Sequence, residues 1–274
     1  MMNLSRTKLS TTALLAALVL APVAFAEDTL NITYFTIGAT DQDANHLSGG
    51  VYTNEVQNTL GADGLPVLNT AAYGCTSDCI SVSGLPGDVL PDGEITYWSP
   101  SLNNGGAGGT SDVTETGTGV VDLPFTNNSF FAPNGTGSCD GPAPCDGYQA
   151  AILSGTLDAP TAEDISFSIG SDDMAFVYLN GGLVCDDGGV HGSTSVPCTT
   201  SVIPAGDNSI ELFYVDINQT QAALDFSITT TGVTTTAGPS VTPEPSSFLM
   251  LGTGLLGAAA AFRRRFARSP EASF

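Results

Sequence analysis

Lysine and arginine are absent between Lys8 and Arg263, although the chain of 274 residues carries 28 acidic side chains. The six basic residues lie at the two ends, as Arg6, Lys8, Arg263, Arg264, Arg265 and Arg268. With a formal net charge of −22, the chain repels a phosphate backbone, which excludes nucleic acid as a partner. Each carboxylate between the two ends must instead be met by water, salt or a metal cation. This pattern predicts a domain that works outside the cell.

Charged residues of both signs together are scarce, at 12% of the chain, which is about half the usual share. This scarcity does not predict disorder, because 42% of the residues are hydrophobic. Few charges, many turn-forming residues and short apolar runs are typical of an all-β fold. The body, residues 27–231, has a length that fits one large domain or two small ones.

Motifs of common hydrolases are missing as well. There is no Gly-x-Ser-x-Gly elbow, no Ser/His/Asp order and no zinc motif, so the chain is predicted not to be an enzyme. A glycosidase that uses two carboxylates is the alternative, because aspartate is plentiful.

Six cysteines are present, and an even number favours disulfides in a secreted protein. They fall into close pairs, which predicts the local bridges Cys75–Cys79, Cys139–Cys145 and Cys185–Cys198. Metal binding by cysteine is the weaker interpretation. No Cys-x-x-Cys occurs, and neither His46 nor His191 completes a zinc-like spacing.

Residues 1–26 have the features of a secretory signal peptide. Arg6 and Lys8 form a charged start, a short apolar run covers 13–21, and 24–26 is a small-x-small cleavage site. The apolar run is too short to span a bilayer. The sequence therefore predicts export and removal of this segment.

The C-terminal region has a linker and an apolar segment followed by arginines. Residues 232–247 are rich in Thr, Ser, Gly and Pro, which predicts a linker, and they include Pro243, Glu244 and Pro245. Residues 248–262 are apolar and are predicted to form a single transmembrane helix. Residues 263–274 begin with Arg263, Arg264 and Arg265, which favour a cytoplasmic location for this tail.

This order of Pro-Glu-Pro, short span and arginines resembles the PEP-CTERM sorting signal. The resemblance implies a Gram-negative bacterium that makes exopolysaccharide. It also implies a sorting peptidase as a partner, membrane attachment through the helix before processing, and display or release at the cell surface.

Alternating apolar residues predict several strands in the body. Such sets occur at 30–34, 165–169, 210–214 and 222–228. The continuous apolar run 174–179 ends at Asn180-Gly181, which is a strong hairpin signal. Residues 54–60 are predicted to form a short helix and residues 105–118 a long loop. Most of the strand signal follows Tyr148, so the first half is expected to form extensions around the same fold.

Asp172 and Asp173 form an adjacent acidic pair in front of the apolar run. Two neighbouring carboxylates repel each other, so without a counter-ion one of them tends to hold a proton. No cationic side chain in the body can relieve this repulsion, and oxygen ligands in a loop suit calcium. A solvated turn is the alternative interpretation, because aspartate is common in turns.

The segment 167–192 resembles the signature of the fibro-slime domain, in which acidic residues precede an aromatic strand, an Asn-Gly hairpin and a Gly-Gly-x-His turn. Further stretches resemble other blocks of that family in the expected order, at 58–69, 95–98, 123–131 and 209–228. The resemblance covers nearly the whole body. It implies a protective-antigen-like antiparallel β-sandwich, jelly-roll-like, with long loops and short helical pieces.

The same resemblance implies a calcium site. In the wider family an Asp-Asp pair and groups of a later loop bind calcium, and the calcium chelates the hydroxyls of a sugar. On this sequence the pair is Asp172 and Asp173, and the later loop supplies Asp216 and Asn218. The family has a Glu-Arg pair near the later loop, whereas residues 215–217 of this chain are Val-Asp-Ile.

Two other acidic groups are weaker metal candidates. Asp186 and Asp187 are second-choice metal ligands beside a Gly-rich turn. Asp41, Asp43 and Asn45 alternate like the start of an EF-hand loop, but the required glycine and the final glutamate are missing, so we interpret them as a polar loop.

Together these features predict a secreted or surface-displayed, calcium-dependent module that binds carbohydrate and supports adhesion, in association with exopolysaccharide or a biofilm matrix. Its expected partner is an extracellular polysaccharide or other glycan. The alternative is a structural protein of the extracellular matrix without a discrete ligand.

Overall fold

The computed structural model describes residues 28–38, 41, 50–70, 88–105, 109–127, 147–198, 201–218 and 222–238. The predicted signal peptide, the sorting segment and the cysteines at 75, 79, 139 and 145 lie outside the described residues. Within these ranges all regular elements are β-strands. In chain order they are β1 (Thr29–Ile37), β2 (Val113–Asp122), β3 (Phe125–Asn127), β4 (Tyr148–Ala159), β5 (Glu163–Ile165), β6 (Phe167–Asp172), β7 (Met174–Leu179), β8 (Gly182–Asp187), β9 (Thr194–Pro197), β10 (Ser201–Ile203), β11 (Gly206–Val215), β12 (Ala223–Ile228) and β13 (Thr234–Thr236).

Most strands belong to two antiparallel sheets. The main sheet has the order β2-β1-β4-β11-β7-β8, and β13 pairs with the far end of β4. The second sheet has the order β3-β12-β6-β9, and β5 and β10 form a further ladder of their own. The prediction of an all-β, antiparallel fold is confirmed.

The two sheets pack face to face through one apolar core, as in a sandwich. It contains Leu153, Val177 and Leu212 from the main sheet and Ile169 and Phe226 from the second sheet. These side chains alternate with outward-facing ones because successive residues of a strand point to opposite faces.

The opposite face of the main sheet is covered as well. Phe176 and Phe213 point to this face and pack against Trp98, whose ring centroid lies 6.5 and 5.2 Å from theirs. Leu68 and Ile95 belong to the same second core. Segments 50–70 and 88–105 therefore form a cover layer of the main sheet. Burial on both faces explains why β7 is an uninterrupted apolar run rather than an alternating one.

The predicted helix at 54–60 is wrong. Its backbone groups pair with segments more distant in the sequence instead of with each other. Val56 forms a bridge with Leu68, Thr59 forms one with Gly182, and the N–H of Gln57 donates to Val67. The predicted loop 105–118 is also wrong in its second part, because β2 begins at Val113 and pairs with β1.

The domain extends beyond the predicted boundary at residue 231. β13 pairs with β4, and Val233 is buried in the core between the sheets. The N–H of Thr235 donates to Asp28 at 2.7 Å. A linker can therefore begin only after Ala237, where the compact unit ends.

The hairpin and one disulfide agree with the sequence predictions. β7 and β8 are joined by Asn180 and Gly181, both with positive φ angles, 50° and 74°, as a tight turn of this kind requires. Cys185 and Cys198 are bonded. Among the described residues no helix is long and apolar enough to cross a membrane. The predicted transmembrane helix at 248–262 lies outside them.

Candidate metal centre

The candidate centre lies where the chain crosses twice between the two sheets. β6 of the second sheet ends at Asp172 and β7 of the main sheet begins at Met174, so Asp173 alone connects them. β11 of the main sheet ends at Val215, and the chain then continues into β12 of the second sheet. Because Met174 pairs with Val215, these crossings lie side by side. Asp173 and Asp216 are thereby brought together from positions 43 residues apart in the sequence.

Three carboxylates converge at these crossings. Asp172, Asp173 and Asp216 each offer an oxygen, and these oxygens all lie within 4.8 Å of one another. The side chains are buried, with 5%, 0% and 0% of their surface exposed. Calcium is bound by oxygens at about 2.3–2.6 Å, so two ligands of one ion lie within roughly 5 Å of each other. The spacing of the three oxygens therefore fits one such ion.

Backbone amides hold the carboxylate of Asp173 in place. The N–H of His191 donates to its Oδ1 at 3.1 Å, and the N–H of Ile217 donates to its Oδ2 at 2.9 Å. Each oxygen keeps a second lone pair, so both hydrogen bonds are compatible with a metal ligand. The peptide bond between Asp172 and Asp173 is cis.

Asp216 has one oxygen that protein groups do not satisfy. Its Oδ1 accepts the N–H of Asn218 at 3.0 Å, whereas Oδ2 is buried and has no hydrogen-bond partner. An unpaired buried carboxylate oxygen is costly unless a proton or a cation meets it. No lysine or arginine lies between residues 8 and 263, and the ring of His191 faces Asp187 at 3.2 Å, so none of these side chains pairs with this oxygen.

The acidity of the three groups reflects this crowding. Burial, and then the charge of Asp173, raise the pKa of Asp172 to about 7. Burial raises the pKa of Asp173 to about 6, although the amide of Ile217 opposes the shift. Burial and the charge of Asp173 raise the pKa of Asp216 well above its ordinary value. A divalent cation would favour the charged form of all three carboxylates.

The other predicted ligands are placed differently. Asn218 contributes the backbone N–H that orients Asp216. Asp186 and Asp187 are not part of the three-carboxylate group. Asp186 accepts the N–H of Val56 at 3.1 Å, and Asp187 lies 3.2 Å from Nε2 of His191. Both second-choice ligands thus support neighbouring segments.

Sequence reasoning missed the aromatic side chains that support the centre. The hydroxyl of Tyr214 donates to the carbonyl of Asp172 at 2.7 Å, and the indole N–H of Trp98 donates to the carbonyl of Tyr214 at 2.8 Å. Both side chains are buried. The chain of contacts connects the cover layer to the Asp pair. The alternation in β11 suggests only a core role for Tyr214, so no sequence signal pointed to it.

Comparison with known proteins identifies the sorting signal. The PEP-CTERM protein-sorting motif matches residues 241–265. This match confirms that part of the sequence prediction and indicates an exported protein of the cell surface or envelope. No curated protein matches the chain. The fibro-slime resemblance stays a prediction.

Several solved structures match this chain at low identity and low TM-score. The PA14 sugar-binding domain from an RTX adhesin is 13% identical over 77% of this chain and 96% of that one, with a TM-score of 0.34. The PA14 domain of the MpAFP antifreeze protein is 12% identical over 80% and 97%, with a TM-score of 0.32. A beta-glucosidase from Kluyveromyces marxianus is 16% identical over 30% of this chain, which spans only 11% of that enzyme, with a TM-score of 0.26. Similarity at this level does not establish a shared ligand or activity.

Proposed function

We propose that this protein is a calcium-dependent carbohydrate-binding or adhesion module displayed at, or released from, the cell surface. The observation that carries the proposal is the buried Oδ2 of Asp216, which has no hydrogen-bond partner and lies beside two further buried carboxylates. Asp172, Asp173 and Asp216 would be the protein ligands of the ion.

Calcium would have two effects at this place. It would neutralise the three carboxylates, and it would tie together the two crossings between the sheets. Calcium takes about 6–8 oxygen ligands, more than three aspartates supply as single donors. The remaining positions are open to water or to vicinal hydroxyls of a sugar. A sugar bound in this way needs no lysine or arginine, which agrees with a body that has neither.

The cell-surface location rests on the PEP-CTERM motif at residues 241–265. This motif makes a sorting peptidase the expected processing partner. The fibro-slime resemblance of the body favours an extracellular polysaccharide, in an exopolysaccharide or biofilm matrix, as the ligand. The lack of hydrolase motifs favours binding over catalysis.

Calcium titration of the full chain by calorimetry tests the metal site. We compare the wild type with Asp172→Asn/Asp173→Asn. The matched control is Asp158→Asn/Asp207→Asn, which removes two exposed carboxylates that pair across β4 and β11. We expect calcium binding to be lost in the first variant and kept in the control. Equal, weak binding by all three proteins would show that the acidic surface only condenses cations, and would contradict the proposal.

Glycan-array binding with calcium and with chelator tests the ligand. We expect binding to at least one polysaccharide that needs both calcium and the Asp pair. An intact calcium site without any glycan binding would favour the alternative, a structural protein of the extracellular matrix. Sugar release from a polysaccharide, lost on substitution of a carboxylate, would instead indicate a glycosidase.

A further inference from the structure

A second group of three carboxylates lies at the β1–β2 edge of the main sheet. Asp41, Asp88 and Asp112 each offer an oxygen, and these oxygens lie within 4.8 Å of one another. Asp41 follows β1, and Asp112 directly precedes β2. The N–H of Gly38 donates to the carbonyl of Asp112, and the N–H of Asp41 donates to Gly38. Asp88 comes from the cover layer, so the group joins segments distant in sequence.

A buried asparagine organises this group. The side-chain amide of Asn103 donates to Asp88 Oδ1 at 3.0 Å and to the hydroxyl of Thr96 at 3.1 Å. Its Oδ1 accepts the N–H of Gly105 at 3.2 Å and that of Asp112 at 3.4 Å. Asn103 is only 4% exposed. One side chain therefore fixes the positions of two of the three aspartates.

The backbone also closes tightly around Asp88. A Cβ atom on Gly105 would overlap the carboxylate of Asp88, so a larger residue there would displace that carboxylate. The carbonyl of Asp88 accepts both the N–H and the hydroxyl of Thr96, at 2.8 and 3.0 Å. Asp88 is held from both ends and is 1% exposed. It is not a solvated surface acid.

The carboxylate of Asp112 lacks partners. Both of its oxygens are buried, and neither has a hydrogen-bond partner. No lysine or arginine lies between residues 8 and 263. His191, the histidine among the described residues, faces Asp187 at 3.2 Å, and its N–H donates to Asp173 of the first centre. A buried carboxylate beside two others, without a lysine or arginine near it, must be met by a proton or by an external cation.

We propose that Asp41, Asp88 and Asp112 form a second calcium site, which fastens the cover layer to the edge of the main sheet. Buried aspartate oxygens at this spacing suit a hard divalent cation rather than a soft metal. Its role is structural, because it joins the end of β1, the start of β2 and the segment around Asp88. The proposal does not depend on sugar binding at the first centre.

The two centres lie at the same end of the main sheet but are well separated. Ile37 pairs with Tyr148 of β4, and Val215 pairs with Ala150 of β4. The centres are therefore about three strand spacings apart, roughly 14 Å. Substitutions at one centre do not touch the ligands of the other, so the two sites can be tested separately.

The test is the number of calcium ions bound by the full chain, measured by calorimetry and by metal analysis after gel filtration. The variants are Asp112→Asn, Asp172→Asn/Asp173→Asn and their combination. The control is Glu115→Gln, an exposed carboxylate on β2. With one ion per group, we expect two ions in the wild type and the control, one in each site variant, and none in the combination.

The outcomes separate this proposal from the first one. One ion in the wild type, lost with the Asp pair and unaffected by Asp112→Asn, would overturn the second site and leave the first intact. One ion in the wild type that is lost in Asp112→Asn but kept in Asp172→Asn/Asp173→Asn would support the second site and overturn the first. If Asp112→Asn misfolds and loses both ions, the number of calcium ions bound by Asp41→Asn is measured instead. Loss of one ion supports the second site, and loss of none overturns it.

Discussion

Asp216 shows how a single side chain can favour ligand binding at the expense of the unliganded fold. It is fully buried, its Oδ2 lacks a partner, and Asp172 and Asp173 lie beside it. In the absence of a cation these like charges repel each other in a medium of low polarity. The residue therefore destabilises the empty protein.

We predict that Asp216→Asn stabilises the protein in chelator at neutral pH by about 1–2 kcal/mol and removes the stabilisation by calcium. Asparagine keeps an oxygen for the N–H of Asn218, and its amide can donate to the neighbouring carboxylates. Thermal unfolding with chelator and with calcium measures both effects. The control Asp63→Asn changes an exposed carboxylate and should alter neither. A variant that is less stable than the wild type in chelator would show that repulsion is not the dominant effect.

At this scale the sequence predicts the acids of the first centre but not their environment. The adjacency of Asp172 and Asp173 is visible in the sequence, and the family resemblance points to Asp216. The roles of the Tyr214 hydroxyl and the His191 amide cannot be predicted from the sequence, because they depend on contacts between distant segments. The second group was missed for the same reason. Asp41 looked like part of a local EF-hand-like loop, whereas its partners are Asp88 and Asp112.

At the scale of elements, the disulfide closes one side of the sandwich. Cys185 lies on β8, an edge strand of the main sheet, and Cys198 directly follows β9, an edge strand of the second sheet. The bond therefore connects two edges that share no backbone ladder. It also closes a short loop, since the two cysteines are 13 residues apart.

We predict that Cys185→Ala/Cys198→Ala lowers the free energy of unfolding by about 3 kcal/mol, since a loop of this length loses that much chain entropy in the unfolded state. Urea unfolding of the oxidised protein and the variant measures the difference. Because this bond does not involve the aspartates, calcium should stabilise both proteins by the same amount. A loss of calcium binding in the variant would instead link the disulfide to the first centre.

The elements that the sequence predicts best are those with local signals. The hairpin at Asn180 and Gly181 needs positive φ angles, which these two residue types tolerate. The failures involve segments whose partners are remote. Val56 pairs with Leu68 instead of forming a helical turn, and β13 is a Thr-rich stretch that becomes a strand only because β4 offers an edge. Propensity alone cannot reveal such tertiary pairing.

For the whole molecule, the buried carboxylates connect pH, calcium and stability. Burial raises the pKa of Asp172 and of Asp112 to about 7 and that of Asp173 to about 6. In the unfolded chain such groups titrate near about 4. Between these values the folded protein without calcium holds protons that the unfolded chain has released. The stability that these groups contribute is therefore complete below about pH 4 and is lost as the pH rises to about 7.

We predict that, as the pH rises, the melting temperature in chelator falls while the stabilisation by calcium increases. In chelator the melting temperature should fall as the pH rises from about 5 to about 8, because the folded carboxylates lose their protons and repel each other. Calcium binds the deprotonated groups, so the stabilisation by calcium should be small near pH 5 and should increase toward pH 8. Scanning calorimetry across this range measures both trends.

Sodium chloride at matched ionic strength is the control, since it screens the net charge of −22 without filling a site. If sodium and calcium stabilise the protein equally at every pH, the acidic groups act only through overall charge. A larger effect of calcium that grows with pH, and disappears when both groups of aspartates are substituted, would show that discrete sites hold the ions.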